Sequence, residues 1–436
     1  MNIVNHLVEE YFEVVNGQLT VEGVAVSEIA KQYETPFFFY LPSIFHKKLS
    51  RLRLALPGFE ICYAVKANPS PGIVQYFIKE NCGLNVATST ELFLAISCGC
   101  PCSRILLSGA GKTNRELVAG CEKSVAEIYA ESLEEVRQIS LLAEKRRQNI
   151  RVSLRINPGE VSINGKVYMP AAPAAYGFDE EMVDIAVEAI LRQPRLKLCG
   201  INAYWGTQHL DDQVLCQTYR HILSLAGRIT EKFKIDIETI DFGGGFGVPY
   251  YANENEFALE AFGKSVQSLI EEARHCVGIE KARFVIEPGR YLVADGGLYV
   301  TRVMNCKDSR DKHFIVVDGG IHHHLAATGN LGQVIKKNFP MAIANRMNEP
   351  HDVIYNITGR QCTSLDTLAR NIALPAVQEG DILVIFQSGA YVRSVSPLGF
   401  RSHPEPIEIM MEKESMKIIR RNSCEQDILR GTSLDK

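Results

Sequence analysis

The sequence holds a few residues whose types and neighbours could do chemistry. Lys66 closes an apolar run in YAVKANPSP (63–71), just before an Asn-Pro-Ser-Pro turn. On position alone it reads as a lysine that snorkels to water. Held in a partly apolar pocket instead, its amine would lose its proton more readily and become a nucleophile toward carbonyls. Gly243, Gly244 and Gly245 follow a strand-like run in IDFGGGFGVPY. Such a turn can aim backbone N–H groups at an anion, though tight turns use glycine too. No Gly-Lys-Ser/Thr follows, and the spacing is not that of a dinucleotide fingerprint.

Glu287 ends the run RFVIEPGR, with Gly289 and Arg290 directly behind it. The carboxylate could pair with a basic ring nitrogen and the guanidinium with a phosphate; a plain Glu–Arg ion pair fits the same residues. Cys362 in GRQCTSLD and Tyr391 in SGAY would, singly, be a core thiol and a packed tyrosine. Taken together, a lysine for an aldehyde, glycines and an arginine for a phosphate, and a glutamate for a ring nitrogen meet the needs of pyridoxal phosphate.

The elements that must position these residues fall into two textures. PFFFYL (36–41), ICYAVKA, GLNVAT, RILLSG, EIYAE, RVSLRIN, LCGINAYWG, IDFGGGFG and RFVIEP alternate with longer amphipathic stretches. Nearly continuous apolar strands alternating with helices indicate a parallel sheet covered by helices. Eight such units closing on themselves make a TIM-type (β/α)8 barrel, with a doubly wound open sheet as the alternative. In a barrel the chemistry gathers where strands end. After Tyr291, strand-like runs such as HFIVVDGG, DILVIFQSGAY and PIEIMME follow with few helices. The expected organisation is an α/β barrel over 36–290 and a β-rich domain from 291–436. Residues 1–35 complete that domain through a hairpin at the Asn-Gly of YFEVVNGQLTVEG.

Composition sets outer bounds. The 436 residues are 46% hydrophobic and 22% charged, with a net charge of −4. Nucleic acid and anionic membrane are therefore not expected as partners. No apolar run approaches membrane-spanning length, and MNIVNHLVEEYFEVV lacks the plan of a signal peptide. Twelve cysteines without framework spacing point to reduced thiols in a cytoplasm. The cluster CGCPC (98–102) lacks a second ligand pair, so no metal site is expected there.

YAVKAN, GGGFG, EPGR, the C-x-S-x-D of CTSLD, and SGAY stand in an order that resembles the fold-type III, alanine-racemase-like decarboxylases. This group includes the diaminopimelate, ornithine and arginine enzymes, and the resemblance spans roughly residues 25 to 410. It implies that Lys66 takes the cofactor aldehyde and that Glu287 keeps the pyridine nitrogen protonated. Gly243 to Gly245, Gly289, Arg290 and the Tyr391 hydroxyl would bind the phosphate. Glu91 and Arg155 match positions lining the cofactor pocket. Cys362 resembles the acid that reprotonates the α-carbon, supplied across a head-to-tail homodimer with shared active sites.

The departures bear on the substrate. Where the family has H-x-G-S, this chain has Tyr204-Trp205-Gly206-Thr207, so Tyr204 is expected over the ring and Thr207 near the phosphate. Asn85 stands where an acidic residue is common, and Ala175 where a lysine often does. Thr363 follows the cysteine in place of an acidic residue that would match a distal amine. DGGIHHHLAA replaces the segment that carries a substrate arginine. Neighbouring histidines point in different directions, so His322, His323 and His324 are not expected to hold a metal. His322, His323, Thr363 and Asp366 are the substrate-side candidates. These features resemble the branch that decarboxylates glutamyl groups on an acyl carrier protein. A diaminopimelate- or ornithine-type enzyme, a racemase, and a non-catalytic cofactor-binding homologue are the alternatives.

Overall fold

The computed structural model describes residues 3–163, 166–169, 173–331, 333, 335–413 and 415–432. Its chain divides into two compact units. One comprises Lys48–Val248 and Asn255–Tyr291; the other comprises Met1–Lys47, Pro249–Glu254 and Leu292–Lys436.

The first unit is a closed barrel of eight parallel strands: β1 (Phe59–Ala64), β2 (Gly83–Val86), β3 (Ile105–Leu107), β4 (Glu127–Ala130), β5 (Ile150–Asn157), β6 (Leu196–Ala203), β7 (Thr239–Asp241) and β8 (Arg283–Ile286). Each pairs with the next; β4 pairs with β5, and β8 pairs with β1 to close the ring. The doubly wound alternative is thereby removed.

The helices between strands start on short polar side chains that satisfy the free N–H groups of a first turn. Thr88, Thr113, Ser132 and Asp211 each accept from backbone N–H groups two or three residues on. In the helix Asp212–Phe233, Leu215, Tyr219, Ile222, Ala226 and Ile229 recur at three- and four-residue spacing and are all buried. That spacing makes one apolar stripe, laid on the barrel.

Side chains alternate in and out along a strand, and the inward rows of this barrel are partly polar. At the strand starts, Glu127 of β4 is fully buried and accepts from Thr239 Oγ1 of β7 at 2.6 Å, Arg283 Nη2 of β8 at 2.8 Å, and Ser153 of β5. Above it, Cys62, Leu106, Tyr129 and Val285 pack as an apolar layer. Space there is tight: a Cβ on Gly83 would lie 2.6 Å from Cys62 Sγ. Glu127, Tyr129 and Glu131 thus form one inward row, and Arg151, Ser153 and Arg155 another. The strands are less uniformly apolar than expected, and their charged residues fall at period two.

The second unit is β-rich. Gly297–Ser309 pairs along its length with Phe37–Tyr40, Ile382–Ile385 and Lys312–Val317. Phe37–Tyr40 also pairs with Ile407–Glu412. PFFFYL, expected as the first strand of the alternating series, therefore belongs to this sheet and not to the barrel. The boundary expected at residue 36 falls near residue 48 instead. The N-terminal hairpin joins Glu13–Val15 to Gln18–Val21 through Asn16 and Gly17, both at positive φ (52° and 75°). That is the backbone a two-residue turn matched to strand twist requires. Leu19, Val21, Val26, Ile29, Phe37 and Phe39 share one core cluster.

Candidate active site

All the barrel candidates lie at the C-terminal ends of strands, the face where barrel enzymes carry their chemistry. Lys66 sits in the single turn Val65–Ala67 directly after β1, and it is the exposed residue between buried Val65 and Ala67. Its Nζ lies 5.8 Å from the centre of the Tyr204 ring, which follows β6. A cation above an aromatic face is held by the ring quadrupole. The Tyr204 hydroxyl is hydrogen-bonded to Thr207; burial raises its pKa, while that bond and the Arg290 charge oppose the rise. Lys66, Tyr204, Thr207 and Arg290 are therefore neighbours or linked through one another.

The glycine run after β7 is packed against the same groups. Gly243 has φ of +67°, and a Cβ there would lie 3.1 Å from the Tyr204 ring. On Gly244 a Cβ would lie 2.5 Å from the Glu287 carbonyl oxygen. Only backbone fits between Tyr204 and the end of β8. The Gly289 Cβ position is likewise blocked, 2.8 Å from Ala67 beside Lys66.

Glu287 follows β8. Its Oε1 accepts from Asn85 Nδ2 of β2 at 2.6 Å, and Asn85 Oδ1 accepts from Ser108 at 3.0 Å. Asp241, at the end of β7, is fully buried and hydrogen-bonded to Glu287. It also accepts from the Tyr129 hydroxyl and, at 2.7 Å, from Gly243 N. Burial first, and the Glu287 charge second, hold the Asp241 carboxyl well above the usual carboxylate range. Asp241 thus keeps its proton more readily than a free aspartic acid does. Asp241 escaped the sequence reading, although it stands two residues before the glycine run, at the period-two position from Thr239.

Glu91, in the first turn after β2, accepts from Ala87 N at 2.7 Å. Burial raises its pKa, and the Ala87 N–H and the Lys66 ammonium oppose the rise. Arg155 pairs with Glu131 at 3.0 Å and lies 4.8 Å from the Tyr176 ring centre. Glu131 also accepts from Gly109 N at 3.1 Å and Gly177 N at 3.0 Å, so one buried carboxylate ties three loops together. It too was missed; the signal was the E-x-Y-x-E row.

The remaining candidates belong to the β-rich unit. Cys362 is exposed in the turn between Arg360 and Asp366, and Tyr391 is half-buried with φ of 54°. The Thr363 hydroxyl accepts from Leu365 N at 3.2 Å, within its own turn. Asp366, expected on the substrate side, points inward: its carboxylate accepts from Ile321 N at 2.6 Å and Gln361 N at 2.7 Å. A carboxylate occupied by backbone amides clamps this turn to the histidine run. His323 is also committed, with Tyr299 Oη at 3.0 Å and the Pro404 carbonyl at 3.1 Å. His324 accepts from Ala327 N at 3.0 Å and faces Ser388 Oγ at 3.1 Å. Of the two candidate histidines, His322 alone has a buried ring nitrogen, Nδ1, without a hydrogen-bond partner among the described residues.

Comparison with known proteins decides the family. A model of the pyridoxal-binding domain of pyridoxal-dependent decarboxylases matches residues 43–294. An L-glutamyl-[BtrI acyl-carrier protein] decarboxylase from Niallia circulans is 34% identical over 415 residues, covering 94% of this chain and 96% of that protein. The chain belongs to the pyridoxal-dependent decarboxylases. A diaminopimelate decarboxylase of Aquifex aeolicus is 29% identical, with 98% of each chain covered. A crystal structure from the same organism superposes with a TM-score of 0.86 at 27% identity, covering 98% of both chains. The M. jannaschii diaminopimelate decarboxylase shares the fold at a TM-score of 0.90 and 23% identity.

This decarboxylase is thus a carboxy-lyase that uses pyridoxal phosphate to remove the carboxylate of an amino-acid substrate. Its site fits that cofactor. A lysine amine is exposed just after β1, the glycine turn leaves no room for a Cβ at Gly244, and the carboxylate that follows β8 is held by Asn85 and Asp241. No helix among the described residues is long and apolar enough to cross a membrane.

Proposed function

We propose that this decarboxylase acts on a glutamyl-like amino acid presented on a carrier protein. The observation that carries the reading is Thr363. The residue after Cys362 offers a neutral hydroxyl already engaged in its own turn, so it cannot balance the ammonium of a free diamino acid. A tethered substrate has no such group to balance. The similarity to a protein named as a glutamyl-carrier decarboxylase supports the same choice.

Within this reading each side chain has a task. Lys66 would hold the cofactor through its amine, at the aldehyde. Gly243, Gly244, Gly245, Gly289, Arg290, Thr207 and Tyr391 hold the phosphate through N–H, guanidinium and hydroxyl donors. Tyr204 covers the ring face and, being uncharged, leaves the electron demand to the ring nitrogen. Glu287, oriented by Asn85 and backed by Asp241, holds a proton at that nitrogen, while Glu91 and Arg155 shape the pocket wall. Pyridoxal phosphate supplies a sink for the electron pair left behind when the carboxylate departs. The Cys362 thiol then delivers a proton to the α-carbon. We place that thiol in the site of a second copy, so the working unit is a head-to-tail homodimer, with the reaction set in a specialised biosynthetic pathway of a cytoplasm.

Mass spectrometry of candidate amino acids, free and carrier-bound, for loss of CO₂ tests the substrate. Carrier-bound glutamate should react. Faster loss from free diaminopimelate or ornithine would sink the proposal.

A further inference from the structure

The β-rich unit holds a cleft of about 230 Å³ whose wall includes His322, His403 and Arg360. His322 is 1% exposed, and its ring centre lies 5.1 Å from that of His403. His322 Nδ1 and His403 Nε2 are both buried, and neither has a hydrogen-bond partner among the described residues. A buried polar nitrogen without a partner is costly, so two at one cleft mark a place for a ligand. Arg360 is exposed, and its charge acts on both imidazoles.

We propose that this cleft is an oxyanion site, taking the phosphate or carboxylate of a small ligand between the two imidazoles and the Arg360 guanidinium. The acidic groups on the wall do not oppose this. Asp318 is held by Thr35 Oγ1 and Thr301 Oγ1, each at 2.5 Å, and by Arg302 N at 2.9 Å. Glu405 is paired with Arg393, and Glu34 is exposed, where water screens it. A metal ion fits less well. No set of three potential ligands exists among the described residues, His323 has both nitrogens engaged, and Arg360 would repel a cation.

Burial, then His403 and Arg360, bring the His322 pKa down to about 4; burial and Arg360 lower that of His403. Both rings are neutral near pH 7, and each can turn one N–H toward an anion. The cleft shares His322 with the substrate-side candidates, but its test reads binding whereas the substrate proposal reads loss of CO₂, so the two can fail independently.

The test is calorimetric titration of the holoenzyme, whose cofactor site is already filled, with inorganic phosphate and separately with glutarate. Saturable binding of either supports the site, and the stronger of the two identifies the oxyanion. Arg360→Gln changes an exposed residue, so the fold survives. It should weaken binding about tenfold or more, as loss of one charge-assisted hydrogen bond does. His403→Gln should do the same. Absence of saturable binding to the wild-type holoenzyme, or binding unchanged in both variants, overturns the proposal.

Discussion

The Asn85 carboxamide donates to Glu287 Oε1 at 2.6 Å, reaching from β2 past β1 to the end of β8. Its other end accepts from Ser108, so the amide has one orientation. Asparagine at this place leaves Asp241 as the one other carboxyl group bonded to Glu287 among the described residues, where an acidic residue would add another. Asn85 orients Glu287 without adding a charge that must be neutralised.

Replacing Glu287 by Gln keeps the shape and the Asn85 contact but removes the carboxylate proposed to hold the ring proton. Turnover should fall about 10²–10³-fold, as when one preorganised electrostatic partner is lost. Cofactor absorbance at saturating pyridoxal phosphate should persist. Single-turnover CO₂ release measures the first and a spectrum the second; near-normal turnover would remove Glu287 from its role.

The raised pKa of Asp241 has a consequence for pH. Its ordinary value is 3.8, and the folded chain holds the proton more tightly than the unfolded chain does. Asp241 therefore favours folding fully below its unfolded value, and that contribution is lost as pH rises toward the folded one. Asp241→Asn removes the dependence. In cofactor-free protein, urea midpoints should show wild type losing ground to Asp241→Asn between about pH 4 and pH 8. A constant difference would mean that Asp241 is ionised throughout.

Lys66→Ala should lose both turnover and the absorbance of the lysine-bound cofactor. Borohydride should no longer fix the cofactor to the chain. Normal borohydride labelling of the variant would show that a different amine takes the aldehyde.

Cys362→Ala should keep the cofactor absorbance and lose most of its CO₂ release or the fidelity of its product. Mixing it with Lys66→Ala extends the test to the dimer. If each site draws its lysine from one copy and its thiol from the other, mixed dimers contain one intact site, and activity returns. No recovery after verified subunit exchange would rule out shared sites.

The Lys112 side chain is fully buried, with Nζ 2.6 Å from the Tyr129 carbonyl and 3.1 Å from Glu135 Oε2. Removing one partner of a buried ion pair strands the other charge. Glu135→Ala should therefore cost about 3–5 kcal/mol in urea unfolding. A loss below 1 kcal/mol would show that water reaches the ammonium.

The family and its cofactor were legible in the sequence because they are written in short motifs. Lys66, the glycine run and Glu287 each end a run that is a strand on its face, and a closed barrel brings all its strand ends to one rim. The polar rows inside the barrel were less visible. Glu127, Ser153, Thr239 and Arg283 lie far apart in the chain and meet only through closure. Asp366 and His323 looked like substrate contacts because their types suit that work, yet their polar atoms are occupied within the fold.

By itself, then, the sequence determined the family and its cofactor, the alternating strands and helices of a barrel and the Asn-Gly hairpin. These depend on local residue order, which sequence displays directly. The tertiary structure decided where Phe37–Tyr40 belongs. All four of its residues are buried, and a strand apolar on both faces names no partner. It also decided that Asp241 backs Glu287 and that, of the two histidines lining one cleft, His322 and not His323 keeps a nitrogen without a partner among the described residues. Those outcomes depend on which distant polar atoms meet, and on burial that raises the cost of any left unpaired.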